Sequence, residues 1–146
     1  MFSGRYEYAL DEKGRVSIPA RFREALALNY DMRLILTNLD GCIVAYPYKE
    51  WLNIQERISN LKEQNSHVRT FLRFFYSGVT ECTIDRLGRI HIPLSLKNFA
   101  GIKKQVVIIG INKKIEIWAQ EAWEEVVRQA TSDPQKVQEI VVELGL

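Results

Sequence analysis

The feature that most constrains this chain of 146 residues is that it repeats itself. Phe2-Ser3-Gly4 returns as Tyr76-Ser77-Gly78, Glu7 as Glu81, Leu10-Asp11 as Ile84-Asp85, Gly14-Arg15-Val16 as Gly88-Arg89-Ile90, and Ile18-Pro19 as Ile92-Pro93, all at an offset of 74. Farther along, residues 42–46 and Trp51 correspond to 114–118 and Trp123 at an offset of 72, which a two-residue indel explains. A duplicated chain is built from copies of one supersecondary unit that bury their apolar faces on each other. The expected division is a first repeat over 1–75 and a second over 76–146. The stretch between them carries Phe71, Phe74, Phe75 and Tyr76 rather than a flexible linker, so one body is expected.

Both copies read alike. Residues 6–10 and 82–84 suit extended chain, a glycine-containing turn follows, and 15–18 and 89–92 alternate polar with apolar as half-buried strands do. Pro19 and Pro93 suit the first turn of short helices over 20–28 and 94–100. Two more strands come next, 33–37 with 42–46 and 106–111 with 114–118, turned at Asp40-Gly41 and Asn112. That outline is two hairpins around a helix. A closing helix places Trp51, Ile54, Ile58 and Leu61 on one face and Glu50, Glu56, Lys62 and Glu63 on the other. Its counterpart starts at Trp123, Val126 and Val127, breaks at Asp133-Pro134, and resumes as an apolar stripe of Val137, Ile140, Val141 and Leu144 that suits either core or a subunit contact. The fold class is α+β, mainly β.

Charge is uneven although the total is only +2. Lys13, Arg15, Arg21 and Arg23 lie in a run without an acid, whereas seven acids against two bases follow from Glu116 onward. Such polarity gives a chain an electrostatic face. The two cysteines, Cys42 and Cys82, each sit in an apolar run, so a disulfide framework is not expected and a reducing compartment is. The opening MFSGRYEY lacks the basic-then-apolar pattern of a secretory leader. No apolar segment approaches the roughly 20 residues that span a bilayer. A soluble, cytoplasmic protein is expected.

The repeated turn is Asp-x-x-Gly-Arg followed by apolar-x-Ile-Pro: residues 11–19 in one copy and 85–93 in the other. Aspartate opening a turn accepts backbone N–H groups two or more residues on, and glycine supplies a positive φ. Arginine then stands past the bend with a rigid fork of donors suited to carboxylate, phosphate or a guanine edge. The same residues also serve a plain hairpin turn in which the arginine pairs with its own aspartate.

These paired Asp-x-x-x-Arg turns, the Ser-Gly lead-ins, the Ile-Pro that follows, and the run from Tyr46-Pro47 to Trp51 resemble the MraZ family of bacterial regulators with two tandem AbrB-like repeats, over essentially the whole chain. The resemblance implies a pseudo-symmetric swapped-hairpin β-barrel of the double-psi type, with flanking helices. It further implies a ring-shaped homo-oligomer that binds double-stranded DNA at short direct repeats in its own promoter, in a division and cell-wall gene cluster, and so a nucleoid-associated protein. Carried over by position, the DNA-facing residues are Asp11, Arg15, Asp85 and Arg89. Lys13, Arg21 and Arg23 are added from the acid-free run, with Arg86 in the second turn and Lys97, which stands where Arg23 does in the first copy. Because Arg21 corresponds to Ser95, the first repeat should supply more of the phosphate attraction.

Other chemistry finds little support. His67, His91 and the cysteines show no paired metal-ligand spacing, so no metal is expected. Ser17 and His91 beside the arginines lack a nucleophile elbow, and no glycine-rich loop cradles a phosphate. No enzyme activity, cofactor, small-molecule substrate or membrane partner is therefore expected. Trp51, Trp118 and Trp123 read as packing at the seam between repeats rather than base-stacking platforms. The alternative function is a non-catalytic, antitoxin-like interaction module, for which the acidic, amphipathic 134–144 stretch would serve.

Overall fold

Turn and helix signals in the sequence become element boundaries in the computed structural model, which describes residues 1–62 and 65–146. The first half runs β1 (Arg5–Ala9), β2 (Arg15–Ser17), α1 (Ala20–Asn29), β3 (Arg33–Leu39), β4 (Cys42–Pro47), α2 (Tyr48–Ser59) and α3 (Ser66–Ser77). The second runs β5 (Thr80–Thr83), β6 (Arg89–His91), α4 (Leu94–Phe99), β7 (Gln105–Ile111), β8 (Lys114–Ala119), α5 (Gln120–Ser132) and α6 (Pro134–Leu144). Pro19 and Pro93 occupy the N-cap positions of α1 and α4, one residue earlier than a first helical turn. Asp40 and Gly41 both take positive φ between β3 and β4, which matches the twist of a tight hairpin.

Six strands form one antiparallel sheet in the order β1-β7-β8-β4-β3-β5, and β2 pairs antiparallel with β6 as a separate ribbon. The outer strands are exchanged: β1 of the first half lies on β7 of the second, and β5 of the second lies on β3 of the first. Two pairings join repeat-equivalent residues, Val16 with Ile90 in the ribbon and Val44 with Glu116 at the sheet centre. A local pseudo-twofold axis therefore passes through both. The expected hairpin between residues 6–10 and 15–18 is not formed within either half. The chain does turn there, but β2 turns its apolar residue to a core it can fill only beside its counterpart from the other repeat. Strand exchange is what the family resemblance implies; the hydrogen-bonded sheet ends at β1 and β5 rather than closing into a ring.

Alternation sends side chains to two layers. On one side of the sheet Leu34, Leu36, Ile43, Ala45, Val106, Ile108, Ile115 and Ile117 meet Val16, Ile18, Ile90 and Ile92 from the ribbon region, with Phe22 and Leu26 of α1 and Leu96 of α4. Each of these side chains larger than alanine contributes about 1.5–3 kcal/mol of burial. On the other side Ile35, Val44, Tyr46, Val107 and Trp118 pack under α2, α3 and α5, where Trp51 stacks on Phe75 at 5.8 Å. The tryptophans belong to this packing. Phe71 and Tyr76 remain 41% and 40% exposed.

α3 is bound to the sheet by Thr37 Oγ1, which donates to the Phe75 carbonyl at 2.5 Å, and by Asn38 Nδ2, which donates to the Phe74 carbonyl at 3.2 Å. Glycine is required at 78, since a Cβ there would stand 1.7 Å from Asn38 Oδ1. α2 ends at Ser59, so Leu61 lies past the helix and is 45% exposed; Glu63, placed with it in the sequence, is outside the described residues. Glu116 is buried, accepting from Trp118 Nε1 at 3.0 Å with Lys114 Nζ 3.3 Å away, and so leaves the acidic surface read from Glu116 onward. Among the described residues no helix is long and apolar enough to cross a membrane.

Candidate nucleic-acid interface

The site is built from the two repeated turns. Asp11 Oδ1 accepts the backbone N–H groups of Lys13 at 2.9 Å and Arg15 at 2.8 Å, and its Oδ2 takes Arg15 Nε at 2.8 Å. The second turn copies this: Asp85 Oδ1 accepts from Leu87 and Arg89, both at 2.9 Å, and Oδ2 takes Arg89 Nε at 3.1 Å. Gly14 and Gly88 take φ of 77° and 79°, which an L side chain adopts only under strain. The internal Asp–Arg pairing read as a bare turn is thus formed in both copies. It lowers both carboxyls below their ordinary value of 3.8, chiefly through the backbone N–H donated by the arginine.

Pairing of the ribbon brings the turns together. The Gly14 carbonyl accepts from Ile92 N and the Gly88 carbonyl from Ile18 N, each at 2.8 Å. Arg15 faces His91 and Ser17 faces Arg89 across the ribbon, while Val16 and Ile90 point into the core. Residues paired across antiparallel strands share a face, so Arg15, Ser17, Arg89 and His91 all project outward. Arg89 Nη1 also reaches to 3.9 Å from Asp11 Oδ2, so both arginines share one carboxylate across the pseudo-axis. Their side chains keep 32% and 26% of their exposure. The pairings engage Nε; among the described residues no hydrogen bond takes the terminal nitrogens of Arg15 or Arg89.

The remaining candidates divide. Lys13 and Arg86 are exposed within the turns. Arg23 donates from Nε to the Ile18 carbonyl at 3.1 Å, and its guanidinium lies where a Cβ at 88 would meet it at 2.8 Å. It braces the second turn from the first half. Arg21, two residues back on the helix and therefore on nearly its opposite side, lines a shallow cavity with Met1, Ser3 and Leu28, away from Arg23. Lys97 is half-buried on α4. Two features went unselected in the sequence. Leu87 is 71% exposed at the tip of the second turn, where the first turn carries Lys13. Ser17 and His91 complete the outward ribbon face; strand alternation placed them beside the arginines, but only the cross-strand register shows four residues on one face.

Burial raises the Cys42 thiol and pushes Cys82 up to about 11, so both stay protonated at neutral pH. Among the described residues no group of three or more His, Cys, Asp or Glu could hold a metal ion.

Comparison with known proteins gives one consistent result. A family model described as "MraZ protein, putative antitoxin-like" matches the chain twice, over residues 1–74 and 75–141. The chain is 44% identical over 147 residues to the "Transcriptional regulator MraZ" of Pelotomaculum thermopropionicum, covering 100% of this chain and 99% of that one. It is 41% identical over 146 residues, with full coverage of both chains, to the proteins of the same name from Syntrophomonas wolfei and Natranaerobius thermophilus.

Proposed function

The chain belongs to the MraZ family, and from that membership we propose that it is a transcriptional regulator, not an enzyme, that binds double-stranded DNA through the ribbon face. The observation that carries this reading is the joining of the two turns, with Arg89 Nη1 3.9 Å from the aspartate that holds Arg15. Each aspartate fixes its arginine by Nε and leaves the outer edge of the fork for a phosphate or a guanine edge. A bidentate contact to guanine discriminates by about 1–3 kcal/mol. Asp11, Lys13, Arg15, Asp85, Arg86 and Arg89 form the contact surface, and Arg23 supports it by holding the second turn. Arg21 and Lys97 serve as flanking charge.

One ribbon face is small, and two of its positive charges are already paired, so a single copy binds weakly. Several copies fixed in a ring, each meeting one element of a direct repeat in the protein's own promoter, make later contacts intramolecular and raise affinity without new chemistry. The protein so read is cytoplasmic and nucleoid-associated. Footprinting on the DNA upstream of its own gene, with mass measured by light scattering, tests this. A continuous protected stretch over tandem elements with a multi-copy mass is expected. Absence of protection at low salt would overturn the reading.

A further inference from the structure

The ribbon face is twofold in its backbone pairing but not in its chemistry. Its constant parts are Asp11 with Asp85, Gly14 with Gly88 and Arg15 with Arg89. Three repeat-equivalent pairs around them differ: Glu12 answers to Arg86, Lys13 to Leu87 and Ser17 to His91. Antiparallel pairing of β2 with β6 puts the two turns at opposite ends of the ribbon. One end therefore gathers Glu12, Lys13 and His91 with Arg15, and the other gathers Arg86, Leu87 and Ser17 with Arg89. His91 belongs to the first end because it pairs with Arg15 and its Nε2 lies 3.6 Å from where a Cβ at 14 would stand.

Leu87 is the member of this set that folding leaves unexplained. It is 71% exposed, belongs to neither apolar layer, and stands where the first turn has lysine. Its turn is also the braced one: the Arg23 guanidinium packs against Gly88, and Asp85 Oδ1 accepts the Leu87 N–H at 2.9 Å. An apolar side chain held at one end of a cationic face matches the C5-methyl of thymine, the apolar feature that base edges present in the major groove. We propose that Leu87 meets a thymine methyl and so fixes which way round the pseudo-symmetric face lies on its DNA element, with Lys13 taking a phosphate at the other end. The central arginines alone would fit an element in either direction. The contact presupposes the ribbon-face reading above and gives that face a direction.

Fluorescence anisotropy with one footprinted promoter element as a duplex tests it, each thymine being replaced in turn by deoxyuridine, which lacks only the methyl group. Wild-type chain should lose about fourfold in affinity at one thymine, the effect of one methyl withdrawn from an apolar contact. Leu87→Lys copies the residue that the first turn already holds. It should bind unrelated DNA more tightly and with a steeper salt dependence, yet show no loss at that thymine. Exchanging all three unequal pairs (Glu12→Arg, Lys13→Leu, Ser17→His, Arg86→Glu, Leu87→Lys and His91→Ser) should return the loss at the same thymine. The molecule, turned about its pseudo-axis, then presents the new leucine in the old place, an outcome that misfolding does not produce. A wild-type chain indifferent to every deoxyuridine, or a loss that survives Leu87→Lys, overturns the Leu87 contact and leaves the ribbon-face reading standing. A loss that the exchange does not return, in a variant that melts as wild type does, overturns the directional role. Failure of wild-type chain to protect or bind any upstream DNA at low salt overturns the ribbon-face reading and this contact with it.

Discussion

At the scale of single residues the account rests on Asp11 and Asp85, which shape the turns and aim the arginines. Both carboxyls lie below 3.8 in the folded chain. A group depressed by folding contributes stability above its unfolded value and loses it as pH falls through the folded one. The N–H groups of Lys13, Arg15, Leu87 and Arg89 should therefore keep their native amide shifts and exchange protection from neutral pH down through 3.8, and lose them only in stronger acid. NMR titration checks this; loosening between pH 6 and 4 would contradict it. Asp11→Ala separates two views of the turn. If the face were only a pool of positive charge, deleting a carboxylate would strengthen DNA binding. As the Asp11 side chain holds Arg15 and stands beside Arg89, the substitution should instead weaken specific binding, measured by fluorescence anisotropy at fixed salt.

At the scale of elements, Gly110 shows how a small residue admits a neighbour. A Cβ there would lie 2.4 Å from Ser3 N and 2.6 Å from Phe2 C, so the N-terminal segment can cross β7 only over glycine. Gly110→Ala should break the Phe2–Asn112 bridge and expose Phe2, which is 2% exposed and packs edge-on to Phe22. A loss of about 2–4 kcal/mol in denaturant unfolding is expected, as for other disrupted aromatic core sites. Element types were legible from period and punctuation: the alternation around Val16 and Ile90, the prolines before α1 and α4, and the turn residues Asp40-Gly41 and Asn112 all placed what the structure contains. Partners were not. Nothing local in Arg5–Ala9 says that it pairs with Gln105–Ile111 rather than with β2; that came through the family resemblance. Likewise the spacing of Arg21 and Arg23 showed charge, but not that one side chain packs on Gly88 while the other turns toward Met1. The Thr70–Tyr76 region read as an aromatic connection because its anchors, Thr37 and Asn38, lie more than 30 residues away in sequence.

At the scale of the whole molecule, exchanged edge strands and a core fed by both repeats mean that neither half can satisfy its own strands. Chains of 1–74 or 75–146 alone should lack native far-UV dichroism, and mixing them should restore it; an independently folded half would contradict the exchange. The central claim is that the two ribbon arginines face DNA together. It is tested most directly by titrating a promoter fragment with wild-type chain and with Arg15→Ala/Arg89→Ala across a range of salt, after confirming that both melt alike. Each lost phosphate contact should flatten the slope of log K against log salt by about 0.9 per copy. The account predicts a flatter slope and loss of preference for the promoter over unrelated DNA. An unchanged affinity and slope would contradict it.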